Sequence, residues 1–321
     1  MKQMKKYAAI LVVSLFVGLF AAACQAGPKA APAALRVGAL KGPTAMGLVK
    51  LMQADEGAQR YAFTLAASPD ALVPALVRGD LDLACLPVNV AAVLFANTNG
   101  EIKVTNINTL GILDILARGD TITRLSDLRG RTVYASGKAS TPEYVLRHLL
   151  RAAGVEDVNV VWKAEHAEAL AAFLADEQGL ALLPQPFATI AQSKGNDIRV
   201  ALDLNRLWTE QFGSALITGV TVARRQVLDE QAAAVRQFLA DYEASVEFVN
   251  AHVAEAAALI GKYEIFAADV AEKALPLCNI AFVKGTAMKA ELMPFYAMLF
   301  EQDAAATGGR LPDEDFYYTA D

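Results

Sequence analysis

Few residues in this sequence have types and spacings that could catalyse a covalent reaction. His148, His166 and His252 are its only histidines, and none forms the HExxH spacing of a zinc site. The three cysteines are far apart; Cys85 and Cys278 are predicted to be buried thiols, and the sequence leaves open whether they pair. No Walker loop, GxGxxG or GxSxG motif occurs. We therefore predict no catalytic residue, no metal site and no cofactor, and hence a protein that is not an enzyme.

Five short segments could instead bind a small molecule without changing it. Four of them join a predicted strand to the next helix, where free backbone N–H groups favour an anion or an acceptor-rich ring. The fifth, at 108–111, turns the chain between two extended runs. The same residue types also cap helices and turn chains without binding anything. The candidate ligand-binding residues are Lys41, Gly42, Pro43, Thr44, Pro87, Asn89, Asn108, Thr109, Lys138, Ser140, Thr141 and Gln185.

The side chains of these segments favour two different ligand classes. Lys41 and Lys138 favour a small anion such as a sulfonate or a carboxylate. Asn89, Asn108 and Gln185 each offer hydrogen-bond donors and an acceptor, which favours a neutral, pyrimidine-like heterocycle. The sequence leaves both alternatives open, and the identity of the ligand with them.

The elements that must position these segments form two strand–helix cycles followed by a helical tail. Short apolar runs rich in β-formers alternate with segments of helical period, and residues 229–300 are predicted to be mainly helical. The principal predicted strands are 35–40, 61–67, 81–86, 132–135, 158–162 and 180–183. Such alternation predicts an α/β fold with doubly wound sheets.

Two cycles predict two doubly wound α/β lobes with a hinge and a cleft between them, and a helical C-terminal portion. We assign residues 35–117 plus 223–321 to lobe one and 118–217 to lobe two. The chain would then cross between the lobes near 116–119 and near 218–220. In open α/β sheets, ligands bind beyond the carboxyl ends of the strands, so the cleft is the expected binding site.

The N-terminal segment is typical of a targeting signal. Lysines at 2, 5 and 6 precede an uncharged run, 7–23, which is too short to span a bilayer comfortably. Three alanines then precede Cys24, as in a lipoprotein signal whose cysteine is lipidated, although an ordinary signal-peptidase site would also fit. We predict a signal peptide at 1–23, lipidation of Cys24, and a flexible Ala/Pro/Gly tether at 24–34.

Composition excludes several classes of protein. The chain has 321 residues, of which 55% are hydrophobic and 20% charged, so it can bury a large core and is not disordered. Its formal net charge of −6 becomes more negative when the predicted signal peptide and its three lysines are removed. A protein of this charge is not expected to bind the phosphate backbone of a nucleic acid.

Several segments together resemble a known family. They are RVGALKGPTAMGLVKLM from residue 36, RGDLDLACLPVNVAA from 78, NTLGILDILARGDTITRLSDLRGRTVYASGKASTPEYVLRHLL from 108, LLPQPFATIA from 182, and AVRQFLADYEASVEFVNAH, LCNIAF and PDEDFYY in the tail. With them the sequence resembles the type II periplasmic solute-binding proteins of ABC importers, in the group that handles nitrate, sulfonates, taurine and thiamine pyrimidines. Relatives often carry Glu where Gln185 stands, so a charge-based role at this position does not carry over from the family to this chain.

The resemblance implies an extracytoplasmic protein, lipid-anchored to a bacterial cell membrane, that captures a small molecule between its lobes. Its partners would be that ligand and the subunits of an ABC permease. Two alternatives stay open. One is an enzyme on the same fold that acts on a thiamine-pyrimidine-like precursor, although such enzymes rely on clustered cysteines that this chain lacks. The other is a surface sensor or adhesin that takes no part in transport.

Overall fold

The computed structural model describes residues 34–319. The predicted signal peptide, the lipidated Cys24 and nearly all of the predicted tether lie outside these residues. Within 34–319, no helix is both long and apolar enough to cross a membrane.

The described part of the chain is a mixed α/β structure, as predicted. Its strands are β1 Leu35–Leu40, β2 Tyr61–Ala66, β3 Leu83–Pro87, β4 Ile102–Leu110, β5 Leu113–Arg118, β6 Thr132–Ser136, β7 Asn159–Lys163, β8 Leu180–Pro184, β9 Ile198–Asp203, β10 Ile217–Arg224 and β11 Ile280–Lys284. Its helices are α1 Pro43–Met46, α2 Val49–Asp55, α3 Pro69–Arg78, α4 Val88–Asn97, α5 Thr141–Ala152, α6 His166–Ala175, α7 Phe187–Gln192, α8 Leu204–Phe212, α9 Arg225–Glu230, α10 Ala232–Ala251, α11 Val253–Lys262, α12 Ala268–Ala274 and α13 Gly285–Gln302. Helix α8, most of helix α9 and strand β11 were not predicted from the sequence.

The strands form two sheets that share one plan. The first sheet has the order β11-β4-β10-β3-β1-β2 and the second has the order β7-β6-β8-β5-β9. In each sheet three neighbouring strands pair in parallel, β3-β1-β2 in the first and β7-β6-β8 in the second, and an antiparallel strand pairs with β3 or β8: β10 in the first sheet and β5 in the second. Strands β3 and β8 are almost wholly buried, which explains their unbroken apolar sequences.

The chain crosses between the sheets twice, and the first crossing is earlier than predicted. It lies at Gly111 and Ile112, because Leu113–Arg118 pairs with β8 and β9 of the second sheet. The predicted crossing near 116–119 was therefore wrong, and so was the predicted end of lobe one at 117, because β5 belongs to the second sheet. The sequence contained two adjacent extended runs with nothing to show that they pair in different sheets. The second crossing, at 213–216, also lies earlier than the predicted 218–220, because Ile217–Arg224 forms β10 of the first sheet; lobe one therefore resumes at 217 and not at 223.

The C-terminal helix α13 contacts both halves of the molecule. Phe295 on α13 packs against Trp208 on α8, with ring centroids 5.7 Å apart. Just beyond the helix, Asp303 forms an ion pair with Arg147 on α5, 3.3 Å between the charged atoms. One apolar cluster accordingly includes residues from both sheets.

Candidate functional site

A cleft of about 470 Å³ lies where the carboxyl ends of the parallel strands of both sheets meet. All six of those strands lead directly into helices, and all six strand-to-helix turns line the cleft. Their lining residues lie at 40–44, 67–70 and 86–87 in the first sheet, and at 136–142, 163–166 and 184–187 in the second. The site expected from the topology of open α/β sheets is therefore present.

The cleft brings together most of the residues predicted to bind ligand. Ten of the twelve line it: Lys41, Gly42, Pro43, Thr44, Pro87, Thr109, Lys138, Ser140, Thr141 and Gln185. Asn89 and Asn108 do not. The Asn108 side chain instead donates to the Thr221 hydroxyl (3.1 Å) and accepts from the Thr109 hydroxyl (2.9 Å), inside the first sheet. Adjacent strand residues point to opposite faces, so Thr109 faces the cleft and Asn108 does not.

Two of the six turns were missed in the sequence analysis, namely those after β2 and β7. The first contains Ser68 and Pro69, which were recognised only as a helix start, and the second contains Lys163 and His166. The signal that could have found them is the equivalence of the two cycles. If one strand-to-helix turn of a parallel sheet faces the cleft, its neighbours at the same edge do so as well.

None of the three cleft lysines forms an ion pair with a residue in 34–319, although the Lys41 ammonium donates a hydrogen bond to the Glu264 backbone carbonyl at 3.0 Å. Lys138 is exposed and Lys163 is partly buried, and the ammonium group of neither forms an ion pair or hydrogen bond with any residue in 34–319; that of Lys163 lies 6.0 Å from the centre of the Tyr134 ring. Helices α3, α5 and α6 begin at the same edge, with unpaired N–H groups in their first turns. The acidic side chains of Asp70 and Glu165 also line the cleft and are exposed. The cleft therefore offers both cations and helix starts to an anion.

The turn after β6 is held in place from two directions. Ala139 has a left-handed backbone conformation, φ 57°, which residues other than glycine adopt at a cost. Its N–H donates to the Glu143 carboxylate at 2.7 Å, and its carbonyl accepts from the Asn89 side chain at 3.2 Å. The Thr141 hydroxyl donates to the Asn89 side-chain oxygen at 3.1 Å. Asn89 thus contacts the opposite side of the cleft although it does not line it.

Two rings, His166 and Phe187, form an aromatic part of the cleft lining. The His166 ring nitrogen Nδ1 is hydrogen-bonded to the Ser136 hydroxyl, and the ring lies 5.4 Å from that of Phe187. Phe187 in turn meets Phe266 of the first half edge-on at 5.5 Å. Burial lowers the pKa of His166 to about 4, so the imidazole is neutral at pH 7. Its second ring nitrogen can form one hydrogen bond to a ligand.

The amide of Gln185 is already engaged by the protein. Its nitrogen donates to Asp114 at 3.1 Å, and its oxygen accepts from the hydroxyl (2.7 Å) and backbone N–H (3.3 Å) of Thr189. Asp114 lies opposite Asp203 in the β5–β9 pair. Burial, and next the charge of Asp203, raise the pKa of Asp114 to about 7. A carboxyl that titrates near neutrality therefore lies directly behind a cleft residue.

Comparison with protein families identifies the chain. A family model described as the periplasmic phosphonate substrate-binding protein of ABC transporters matches residues 48–270. The chain belongs to this family. A comparison with curated proteins gave no match.

Solved structures confirm the predicted fold of this substrate-binding protein. An ABC transporter protein from Parabacteroides distasonis has a TM-score of 0.75 and 22% identity, over 89% of this chain and 99% of that one. The periplasmic aliphatic sulphonate-binding protein SsuA from Escherichia coli has a TM-score of 0.71 and 21% identity, over 89% and 96%. The alkanesulfonate-binding SsuA from Xanthomonas axonopodis pv. citri, bound to MOPS, has a TM-score of 0.70 and 19% identity, over 88% and 96%.

Membership of the family establishes the general role. The protein is an extracytoplasmic solute-binding component of an ABC importer, and its partners are a small ligand and a permease. Cys85 and Cys278 are both buried and not bonded to each other, which answers the question that the sequence left open, and neither lines the cleft. Between residues 34 and 319, no group of three or more side chains could together hold a metal ion.

For this substrate-binding protein, Asp114→Asn should increase the free energy of unfolding at pH 8 by up to about 3 kcal/mol. The raised pKa means that the folded protein holds this proton more tightly than the unfolded chain does. The stabilisation is complete below about pH 4 and is lost as the pH rises to about 7, where the buried charge forms beside Asp203. Urea unfolding at several pH values measures the effect as the difference between variant and wild type.

The exposed Asp120 supplies the matched control for that experiment, because it lies just beyond the same strand. Asp120→Asn should leave the profile between pH 4 and 7 unchanged. An Asp114→Asn protein whose stability follows that of the wild type at every pH would show that Asp114 is ionised normally.

Proposed function

We propose that the protein binds a small organic anion, a phosphonate or a sulfonate, and passes it to the permease without changing it. The observation that carries this proposal is the pair of cleft lysines, Lys138 and Lys163, whose ammonium groups form no ion pair or hydrogen bond with any residue in 34–319. They lie at the edge where α3, α5 and α6 begin, and both features favour an anion. The phosphonate description of the family and the sulfonate-binding structural neighbours support the same class.

The rest of the cleft fits the organic part of such a ligand. Beyond the polar turns, the lining is apolar and includes Leu40, Leu86, Val90, Ile112 and Phe187. A ligand with an acidic group at one end and a short carbon chain at the other would place the acidic group against the polar turns and the carbon chain against the apolar lining. The size of the cleft, about 470 Å³, restricts the ligand to a small molecule.

We also propose that the two halves move as lobes, with 35–110 and 217–319 in one and 113–212 in the other. The two short crossings, at 111–112 and 213–216, would act as the hinge. Closure would bury the ligand between turns from both sheets.

Lipid anchoring of Cys24 after removal of residues 1–23 completes the proposal, since tethering would keep the protein near its permease. Expressed in a bacterium that processes lipoproteins, the protein should be found in the membrane fraction, and its Cys24→Ser variant should be soluble. Equal release of both proteins would contradict the anchor.

A thermal-shift screen of the chain from residue 25 onward tests the ligand class. The probes are methylphosphonate, ethanesulfonate, taurine, nitrate, a set of pyrimidines and the amino acids. A ligand at 100 times its Kd should stabilise the protein by about 2.7 kcal/mol, which is several degrees in Tm. We expect shifts with the phosphonate or the sulfonates.

Stabilisation by pyrimidines alone would overturn the anion proposal in favour of the heterocycle. Mass spectrometry of the hit after incubation tests the second part of the proposal, because a new product would show an enzyme. No shift with any probe would favour the sensor or adhesin alternative.

A further inference from the structure

Asn89 is the residue of the cleft region whose role the ligand-binding proposal does not explain. It begins the first turn of α4, which packs on the first sheet, and only 1% of its surface is exposed. Its side chain nevertheless bonds to the turn after β6, which belongs to the second sheet. These two bonds therefore join the two halves of the molecule across the cleft.

The chemistry of the contact requires an amide. The nitrogen donates to the Ala139 carbonyl at 3.2 Å, and the oxygen accepts from the Thr141 hydroxyl at 3.1 Å. The opposite orientation would place the amide oxygen against a carbonyl oxygen, so the assignment follows from the partners. Aspartate would lose the donor, and an apolar side chain would remove the partner of the exposed Ala139 carbonyl and of the buried Thr141 hydroxyl.

The turn that Asn89 contacts is the one that needs support. Ala139 adopts a left-handed conformation there, which costs about 1 kcal/mol or more for a residue with a Cβ. Glu143 binds the N–H of Ala139 from within the second half, whereas Asn89 binds the carbonyl from the first half. The same turn carries Lys138 and the start of α5, which are the features expected to bind the anion.

We propose that Asn89 is a positioning residue: when the halves approach, it fixes the turn 137–141 in its binding conformation and so couples closure to ligand capture. This inference rests on the proposed binding of an anion in the cleft. Asn89 does not line the cleft, so in this proposal it acts on the turn rather than on the ligand. When the halves separate, both of its bonds break and the turn loses the support at the Ala139 carbonyl.

The test compares Asn89→Ala with Asn106→Ala, a buried asparagine of β4 whose hydrogen bonds remain within the first sheet. Both variants lose buried amide hydrogen bonds, so both should lose some stability to urea. Only Asn89→Ala should weaken binding of methylphosphonate or ethanesulfonate, by about tenfold to thirtyfold for two lost hydrogen bonds. The loss should appear as faster dissociation in stopped-flow measurements, because the closed state is the one destabilised.

Small-angle X-ray scattering supplies a readout that needs no ligand. Without ligand, Asn89→Ala should have a larger radius of gyration than the wild type and Asn106→Ala, because its halves separate more readily. Equal affinity and equal radius for the two variants would overturn the inference and leave Asn89 a structural residue. If the wild type binds neither probe, the proposed anion fails, and the scattering comparison alone decides whether Asn89 holds the halves together.

Discussion

Replacing Lys138 and Lys163 together by glutamine should lower the affinity for an alkylphosphonate or alkylsulfonate at least about a hundredfold. A hydrogen bond to a charged group contributes about 1.5 to 3 kcal/mol, and the double variant removes two such donors. Stability should change little, because neither lysine forms an ion pair or hydrogen bond within the described residues. Isothermal titration calorimetry with methylphosphonate and ethanesulfonate measures the change.

Lys194→Gln is a control for loss of positive charge outside the cleft, with one charge removed against two in the double variant. Lys194 is exposed just beyond α7 in the same half and does not line the cleft, so its removal changes the net charge without changing the site. Wild-type affinity should also fall as salt is added, and that dependence should be weaker in the double variant. Undiminished affinity in the double variant would show that the acidic group of the ligand does not bind to these lysines.

The plan of the fold could be predicted because its signals are local. Apolar runs of four to eight residues mark the parallel strands, and a Ser or Thr followed by proline marks the helix starts at Ser68–Pro69 and Thr141–Pro142. The structure places the N-cap of α5 one residue earlier than predicted, at Ser140, and neither helix has a side-chain cap bond. The start of α6 lacks the Ser or Thr followed by proline, since Glu165 precedes His166 there. That turn was therefore overlooked, although it contributes Lys163 to the cleft.

Pairing between distant strands could not be predicted in the same way. Strand β10 inserts between β3 and β4, and β5 inserts between β8 and β9, so each sheet contains a strand from a distant part of the sequence. Such pairing decides whether a side chain that lines the cleft is free to bind a ligand. Gln185 was a reasonable ligand contact from its sequence position, but the β5–β8 pair places Asp114 beside it and occupies its amide nitrogen.

The first crossing at Gly111 leads to the second prediction: Gly111→Ala should lower the free energy of unfolding by about 3 kcal/mol. A Cβ added at Gly111 would lie 1.2 Å from the side-chain oxygen of Asn205 on α8 and 3.0 Å from Cβ of Leu216. The Gly111 carbonyl also accepts a hydrogen bond from Asn279 at 2.5 Å, so the backbone is not free to move aside. Urea unfolding measures the loss.

A second substitution distinguishes crowding from a general effect of alanine. Gly111→Ala combined with Asn205→Ala removes the atom in closest conflict, so the double variant should recover most of the stability lost by Gly111→Ala alone. Gly57→Ala, where the added Cβ has no neighbour within 4 Å, should be neutral. If Gly111→Ala is as stable as the wild type, Asn205 can turn away without cost. The crossing would then tolerate side chains, and its packing would not explain why a glycine stands where the chain passes from one sheet to the other.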